Sequence, residues 1–551
     1  MTQVDEQPQP QDAGEPIPPP EGKTELIETG YEIGQDNIAA TLKVSFDIHH
    51  VVFGVSAIGI MSFTFLTMAF QNDIGPLFVQ LRDFLTGSLD WFFLAAGNVF
   101  VLLCIGLIVS PWGRIRLGGP DATPDHGYRS WFAMLFAAGM GIGLMFFGVS
   151  EPMTHFSTAL QGPAIGADGL REDWAPLGGA AGDPEAARRL GMAATIFHWG
   201  LHPWAIYAVV GLALALFAYN KGLPLTLRSA FYPIFGERIW GWPGHVIDIL
   251  AVFATVFGLA TSLGIGARQA AAGMDFLFAT GTSNAGLVLL VVAITLVAIL
   301  SILAGLDRGV KLLSEINLGL ATLLLLFIIA VGPTLAILTG FFDNLGAYLV
   351  RLPALSMPFG REDSNFASGW TAFYWAWWIS WSPFVGMFIA RVSRGRTVRE
   401  FLIAVLLVPM LVSVLWMTAL GGTAIDQLVG NGFLGTRDAV LELKLFVMLG
   451  ELPLAAITSL IGIVLVIVFF VTSSDSGSLV VDTIAAGGKV NAPAPQRVFW
   501  ASFEGLVAIA LLLGGGLAAL QAMAVSTGLP FTVVLLGACY AIVRGLQGEP
   551  R

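Results

Sequence analysis

The chain has 551 residues, of which 56% are hydrophobic and only 12% charged, and its mean hydropathy is +0.77. That balance excludes a soluble globular protein and implies a polytopic membrane protein. The net charge of −11 arises mostly at one end, where residues 1–36 carry nine acidic residues against a single base, Lys23.

The same segment holds Pro8, Pro10, Pro16, Pro18, Pro19 and Pro20. Too little apolar surface is present to bury a core, so residues 1–44 are expected to form a disordered acidic, Pro-rich tail. A basic start and an apolar centre are both missing, so it is not a signal peptide. Cys104 and Cys539 lie in apolar runs far apart in sequence and read as small buried hydrophobes, not as a disulfide or a metal site.

Twelve apolar segments follow, at about 48–70, 89–111, 129–151, 192–218, 245–273, 282–305, 312–340, 370–391, 400–424, 453–485, 497–518 and 520–545. Each is long enough to cross about 30 Å of hydrocarbon as a helix. An even count puts both termini on one side. With the N-terminus inside, cytoplasmic segments hold 18 Lys and Arg and outer segments hold 8. Both termini are therefore expected in the cytoplasm.

Four stretches stand out in chain order. The third span contains GMGIG, Gly139 to Gly143. Glycines in a membrane helix are often a close-packing device. The alternative is a broken helix, whose freed carbonyls hold an ion and whose half-helix N-terminus faces an anion. The fourth span reads FHWGLHPWAIY, Phe197 to Tyr207. Trp204 and Tyr207 share a face, whereas Trp199 lies about 140° away, so it serves the same cavity only if the helix is distorted. His198 and His202, four residues apart, suit either structural hydrogen bonding or a metal or proton relay, but no third ligand is evident.

Trp370 to Arg399 holds five of the chain's 15 Trp, at 370, 375, 377, 378 and 381, then Arg391, Arg394, Arg396 and Arg399. Interfacial Trp normally sits at a span's rims, yet Trp377, Trp378 and Trp381 fall near the middle. Trp377, Trp381, Phe384 and Phe388 share one face, with Tyr374 and Trp378 beside it. They are either packing aromatics or a site for a quaternary ammonium ion, which binds to π-faces. The tenth span ends FFVTSSDSGS, Phe469 to Ser478. Its hydroxyls either bond the preceding turn or, at Thr472 and Ser473, ligate a small cation. Glu151, Asp248, Arg268, Glu315 and Glu504 are further ionisable groups within spans, whose partners the sequence leaves open.

Together AAGMGIGLMFFGVSEP (137–152), FHWGLHPWAIY (197–207), the Trp-rich run 370–401 and FFVTSSDS (469–476) resemble the betaine/choline/carnitine transporter family, nearest its sodium-coupled glycine betaine members. The resemblance covers about residues 45–545. It implies an all-α membrane protein of twelve transmembrane helices with a LeuT-like core, spans 3–7 and 8–12 forming two inverted five-helix repeats. The organisation would be a tail (1–44), two peripheral helices (45–128), the first repeat (129–340), a connecting segment (341–369), the second repeat (370–545) and a short cytoplasmic tail (546–551).

By position, Trp199, Trp204, Tyr207 and Trp378 match the family's aromatic box for the trimethylammonium group. Trp381 lies close by, Gly139, Gly141 and Gly143 leave room for the substrate carboxylate, and Phe384 and Phe388 line the cytoplasmic path. Ala137, Met140, Phe469, Thr472 and Ser473 match the sodium ligands. The resemblance implies sodium-driven symport of glycine betaine or a related zwitterion in the plasma membrane, by a homotrimer with no other cofactor. Proton-coupled or exchange-type transport of choline, carnitine or ectoine is the alternative.

Three departures bear on this. Only Thr255 remains of two threonines at a second sodium site, Leu259 taking the other place. Leu318 replaces a frequent Met. Arg268 falls where the family is usually apolar, and a guanidinium can stand in for a cation. The last tail also lacks the long basic extension of osmosensing members. Neither a nucleotide-binding motif of the GxxxxGK[ST] type nor a clear catalytic constellation appears, so ATP drive, an enzyme and a nucleic-acid partner are not expected.

Overall fold

The computed structural model of the protein describes residues 17–41, 45–139, 141–162, 167, 175–304 and 311–550. Backbone N–H and C=O groups have no water to bond in hydrocarbon, so long apolar runs close their hydrogen bonds internally as helices. In chain order these are α1 (His50–Ala69), α2 (Gly75–Val109), α3 (Tyr128–Gly139), α4 (Ile142–Gln161), α5 (Pro184–Trp199) and α6 (Leu201–Ala215). Then come the short α7 (Tyr232–Phe235), α8 (Trp242–Phe278), α9 (Asn284–Ala304), α10 (Lys311–Val331), α11 (Thr334–Leu355) and the short α12 (Ser364–Phe366). The chain continues with α13 (Ala372–Val392), α14 (Val398–Asn431), the short α15 (Gly435–Asp438) and α16 (Lys444–Gly450), α17 (Ala455–Ala485) and α18 (Ala494–Gln547). One antiparallel hairpin, β1 (Asn37–Thr41) with β2 (Ser45–His49), is the only sheet among the described residues.

Among the described residues ten helices are long and apolar enough to cross a membrane, eleven when the bent pair α3/α4 is counted as one span. The chain is an all-α polytopic membrane protein. Local chemistry sets the helix ends. Asp183 caps α5 by accepting from the Glu185 and Ala186 N–H groups, both at 3.1 Å. Thr397 and Glu400 form a capping box at the start of α14, which stops at Gly432 in the left-handed region (φ 68°). At about 1.5 Å per residue, the 54 residues of α18 would run about 81 Å as one rod. Gly516, at φ 59°, breaks it, leaving two arms close to the expected spans 497–518 and 520–545.

The structure corrects three boundaries. The expected span 312–340 ends at Val331, because Gly332 and Pro333 stop the helix. A separate helix, α11, then covers residues assigned to a connection. It is the least apolar of the ten and leaves Leu335, Leu338, Phe342, Leu349 and Val350 exposed. α2 starts at Gly75, well before 89, since Arg82, Asp83 and Asp90 obscure an amphipathic beginning. The centre is built from α6 and α8, the most buried long helices: α8 packs along α17 and α18, and α6 along α13. Cys104 and Cys539 are free and buried.

Residues 17–41 are also not the disordered tail expected from composition; residues 1–16 and 42–44 lie outside the described residues. The acidic segment docks as a strap on basic and backbone groups. Glu21 pairs with Arg394, its N–H donates to Gly118 O (2.8 Å), and Glu25 pairs with Lys221 (2.8 Å). Tyr31 stacks on Trp240 with centroids 4.3 Å apart. Burial opposes the Arg394 charge, but Glu21 and Asp125 outweigh it and raise the guanidinium's pKa. Composition rules out a core; it does not rule out docking through charge.

Lys221 joins both ends of the chain, since it also meets Glu549 at 2.8 Å, with both of those side chains 2% exposed. Removing one partner of a buried pair costs about 3–5 kcal/mol. Lys221→Met is therefore expected to lower the unfolding midpoint in detergent and to speed proteolytic cleavage within residues 17–41, read by mass spectrometry. Unchanged cleavage would show that the strap is held elsewhere.

Candidate functional site

Two broken spans frame the site. The first is the glycine run. α3 ends at Gly139, Gly141 is extended, and α4 starts at Ile142, with the two axes bent by 65°. Met140, an expected sodium ligand, lies outside the described residues. The break frees the last carbonyls of α3, that of Ala137 among them, and turns the N–H groups of α4's first turn outward. A Cβ at Gly141 would meet nothing within 4 Å, whereas one at Gly143 would lie 2.6 Å from Trp199 Cη2 and 3.0 Å from Trp377 Cη2. Gly143 is thus where backbone and two indoles approach closely, while Gly141 lies beside open space.

The second break is at Gly200, between α5 and α6. The Leu201 N–H donates to Tyr348 Oη (3.0 Å), and the His198 carbonyl accepts the Trp378 indole N–H (2.9 Å). This break supplies the distortion that Trp199 needs. Trp199 packs edge-to-face with Trp378 at 5.0 Å, Trp378 with Tyr207 at 5.8 Å, and Tyr207 with Trp204 at 5.3 Å. The four aromatics named from sequence are contiguous, with Trp378 in the middle. Trp199, Trp204 and Tyr207 are buried and Trp378 is half-buried. Tyr207 Oη is buried without a hydrogen-bond partner among the described residues.

Below Trp378 the face of α13 changes role. Trp381 Nε1 donates to Gly258 O and Ser262 Oγ, each at 3.1 Å, and Trp377 Nε1 donates to the same Ser262 hydroxyl at 3.1 Å. Trp381, Phe384 and Phe388 then line a cavity of 150 Å³ whose other walls include Ala137, Phe469, Thr472 and Ser473. The residues expected to hold the ion and those expected to form the path therefore meet in one space. Thr472 Oγ1 lies 3.1 Å from both Val468 O and Phe469 O. Its proton is used within the helix, and its lone pairs remain for another group.

Arg268 does not reach this cavity. It pairs with Glu442 and borders a separate space near Gly516, so the expectation that it stands in for a cation is overturned. Glu315 is exposed on α10, and three further carboxylates within the spans find partners. Asp248 pairs with Arg228, Asp475 accepts from Ser301 (2.7 Å), and Glu504 accepts from Ser474 (2.5 Å). At the departures, Thr255 donates to Ala251 O (2.8 Å), and Leu259 fills the space beside Gly477.

Sequence reasoning missed the importance of Glu151. This fully buried carboxylate accepts the Trp199 indole N–H (2.8 Å) and the Tyr374 phenol (2.5 Å) on Oε2. His198 Nδ1 (2.5 Å) and His155 Nε2 (3.2 Å) lie against Oε1. The available signal was a carboxylate on the half-helix that follows the glycine break, with His155 one turn on. Glu151, His155 and His198 are the three residues that offer metal-ligand atoms within 4.8 Å of one another among the described residues. His202 does not join them; its Nε2 faces Asn98 Oδ1 (2.9 Å), so His198 and His202 serve different partners.

Many apolar helices, two of them interrupted around a buried cluster of π-faces, define a membrane transporter rather than an enzyme. The comparison with known families agrees over nearly the whole chain. The sequence profile of the BCCT (betaine/carnitine/choline) transporter family matches residues 51–551, and the chain belongs to that family. It is 65% identical to a glycine betaine/proline/choline transporter of Vibrio parahaemolyticus, over 97% of this chain and 96% of that one. It is 52% identical to glycine betaine transporter 1 of the same organism, over 96% and 98% of the two chains. A glycine betaine transporter of Acinetobacter baylyi is 41% identical over 85% of this chain and 69% of its own.

The two glycines make contrasting probes. Overpacking a tight site costs about 1–3 kcal/mol, so Gly143→Ala is expected to lower the unfolding midpoint in detergent and to change the Trp fluorescence. Gly141→Ala has space and is expected to change neither. Equal effects of the two substitutions would refute the close approach at Gly143.

Proposed function

We propose that the protein is a secondary symporter that imports glycine betaine, or a similar trimethylammonium zwitterion, on a sodium gradient by alternating access. The observation that carries this reading is the contiguous set Trp199, Trp378, Tyr207 and Trp204, joined by the break at Gly200. Aromatic faces attract a quaternary ammonium ion electrostatically without needing its hydrogen bonds, by about 2 kcal/mol or more when water is excluded. The unpartnered Tyr207 hydroxyl and the N-terminus of α4 beside Gly141 supply donors for a carboxylate. A zwitterion brings both charges and needs no protein counter-ion in the box. The names of the Vibrio and Acinetobacter relatives, all including glycine betaine, support the same substrate.

Sodium coupling is supported by the shared cavity, where the freed Ala137 carbonyl, the Phe469 backbone and the Thr472 and Ser473 hydroxyls form a hard-oxygen set. Arg268, held by Glu442, does not compete for that place. The proposed architecture has twelve spans, counting α3/α4 as one, α18 as two and α11 as a connection. Spans 3–7 and 8–12 form the inverted repeats. The protein sits in the plasma membrane as a homotrimer with both termini cytoplasmic, in keeping with the basic residues at Arg391, Arg394, Arg396 and Arg399.

In proteoliposomes, uptake of labelled glycine betaine is expected to follow an inward sodium gradient and to stop when potassium replaces sodium. Trp378→Ala is expected to raise the KM for betaine by roughly thirtyfold, the equivalent of about 2 kcal/mol. Uptake that persists without sodium would indicate proton coupling or exchange, and an unchanged KM would remove the box.

A further inference from the structure

Resting on that reading, we infer that Glu151 is the positioning residue of the aromatic site: one buried carboxylate fixes the rotation of Trp199 and ties together the three helices that meet there. Glu151 lies on α4, Trp199 and His198 on α5, and Tyr374 on α13, and all four are buried. Oε2 holds the Trp199 indole N–H at 2.8 Å and the Tyr374 hydroxyl at 2.5 Å. Oε1 faces His198 Nδ1 at 2.5 Å and His155 Nε2 at 3.2 Å. Both oxygens are thus committed to donors from the protein, the arrangement of an orienting group rather than of one that binds substrate itself.

The geometry shows what is oriented. An indole has a single donor, so pinning its N–H sets which way the rest of the ring points. With Nε1 on Glu151, the far edge of Trp199 reaches the backbone at Gly143 and the ring meets Trp378 edge-to-face. Trp378 is pinned in turn by the carbonyl of His198, whose ring leans on Glu151. Two of the four box rings therefore take their orientation from one cluster. His198 Nε2 and Thr371 Oγ1 lie 2.9 Å apart, which extends the cluster to the residue preceding α13. With Nδ1 protonated, His198 donates to Glu151 and accepts from Thr371, so the chain of donors ends on the carboxylate.

Energetics favour a dedicated role. A carboxylate inside a membrane protein is expensive unless its hydrogen bonds are satisfied. A lone Glu would be selected against at such a place; one with four donors rigidifies what it holds. The indole nitrogen of Trp204 has no part in the cluster, and Trp204 touches the box through Tyr207. It therefore separates the box from its support.

The test is uptake of labelled glycine betaine by proteoliposomes containing the full chain. Glu151→Gln is expected to raise the betaine KM at least tenfold with sodium half-saturation within twofold of wild type. Glu151→Gln added to Trp199→Phe, which already lacks the indole N–H, is expected to add less than a further twofold. Tyr374→Phe removes one donor and leaves the carboxylate on Trp199, so it should fold even where Glu151→Gln does not. Its expected KM rise is severalfold, with kcat retained. Full additivity of the Glu151 and Trp199 changes, or an unchanged KM in both Glu151→Gln and Tyr374→Phe, would overturn the inference. Trp204→Ala distinguishes the two readings. If it leaves KM unchanged the aromatic box itself fails; if it raises KM while the Glu151 and Tyr374 variants do not, the box stands and the positioning role fails.

Discussion

The arrangement depends on one constraint: a helix can be interrupted inside a membrane protein only where other groups satisfy the backbone that the interruption frees. At Gly200 the partners are specific. Tyr348 Oη accepts the Leu201 N–H, and the His198 carbonyl accepts the Trp378 indole N–H. The second of these bonds also fixes a ring of the aromatic cluster. Repair of the backbone and placement of a functional side chain are one interaction, so neither can change without the other. The break also explains how Trp199 joins Trp204 and Tyr207, which a regular helix would forbid.

Charge inside the protein obeys the same rule. Each buried intramembrane carboxylate described above has a partner: Asp248 an arginine, Asp475 and Glu504 a serine each, Glu151 four donors. Only Glu151 is wired to the aromatic cluster. Asp248 and Arg228 lie together near the start of α8, and Arg268 near its far end is held by Glu442. That leaves the cavity beside Thr472 and Ser473 lined by neutral groups, as a site for a small cation requires if its ligands are carbonyls and hydroxyls.

Much of this was legible in the sequence, because apolar length, broken glycine runs and clustered Trp are local signals. The four ring positions, the hydroxyls at 472 and 473 and the Phe384–Phe388 face follow from spacing and family resemblance. What escaped was non-local. Glu151 is separated from Trp199 by 48 positions and from Tyr374 by 223, and nothing in the local pattern says that they meet. α11 escaped for a different reason: a helix with one polar face and a modest apolar excess looks like a connection when only span-length hydrophobicity is read. The strap of residues 17–41 escaped because composition reports the lack of a core and is silent about charges waiting on another surface.

The strap adds a last mechanical link. It pairs with Arg394, which follows α13, and with Lys221, which follows the α6 segment. These are the two helices that carry Trp378 and the Trp204–Tyr207 pair, and they pack along each other. Nearer the other end of α13, the Trp378–His198 bond ties it to α5 and the Tyr374–Glu151 bond ties it to α4, across the Gly200 break from α6. Between the ties, Trp377 and Trp381 share the hydroxyl of Ser262 on α8. Displacing α13 against α8 would break those two indole bonds, whereas α13 is also tied to α5 through His198 and to α4 through Glu151. The α8–α13 seam runs from the aromatic cluster to the cavity at Phe388.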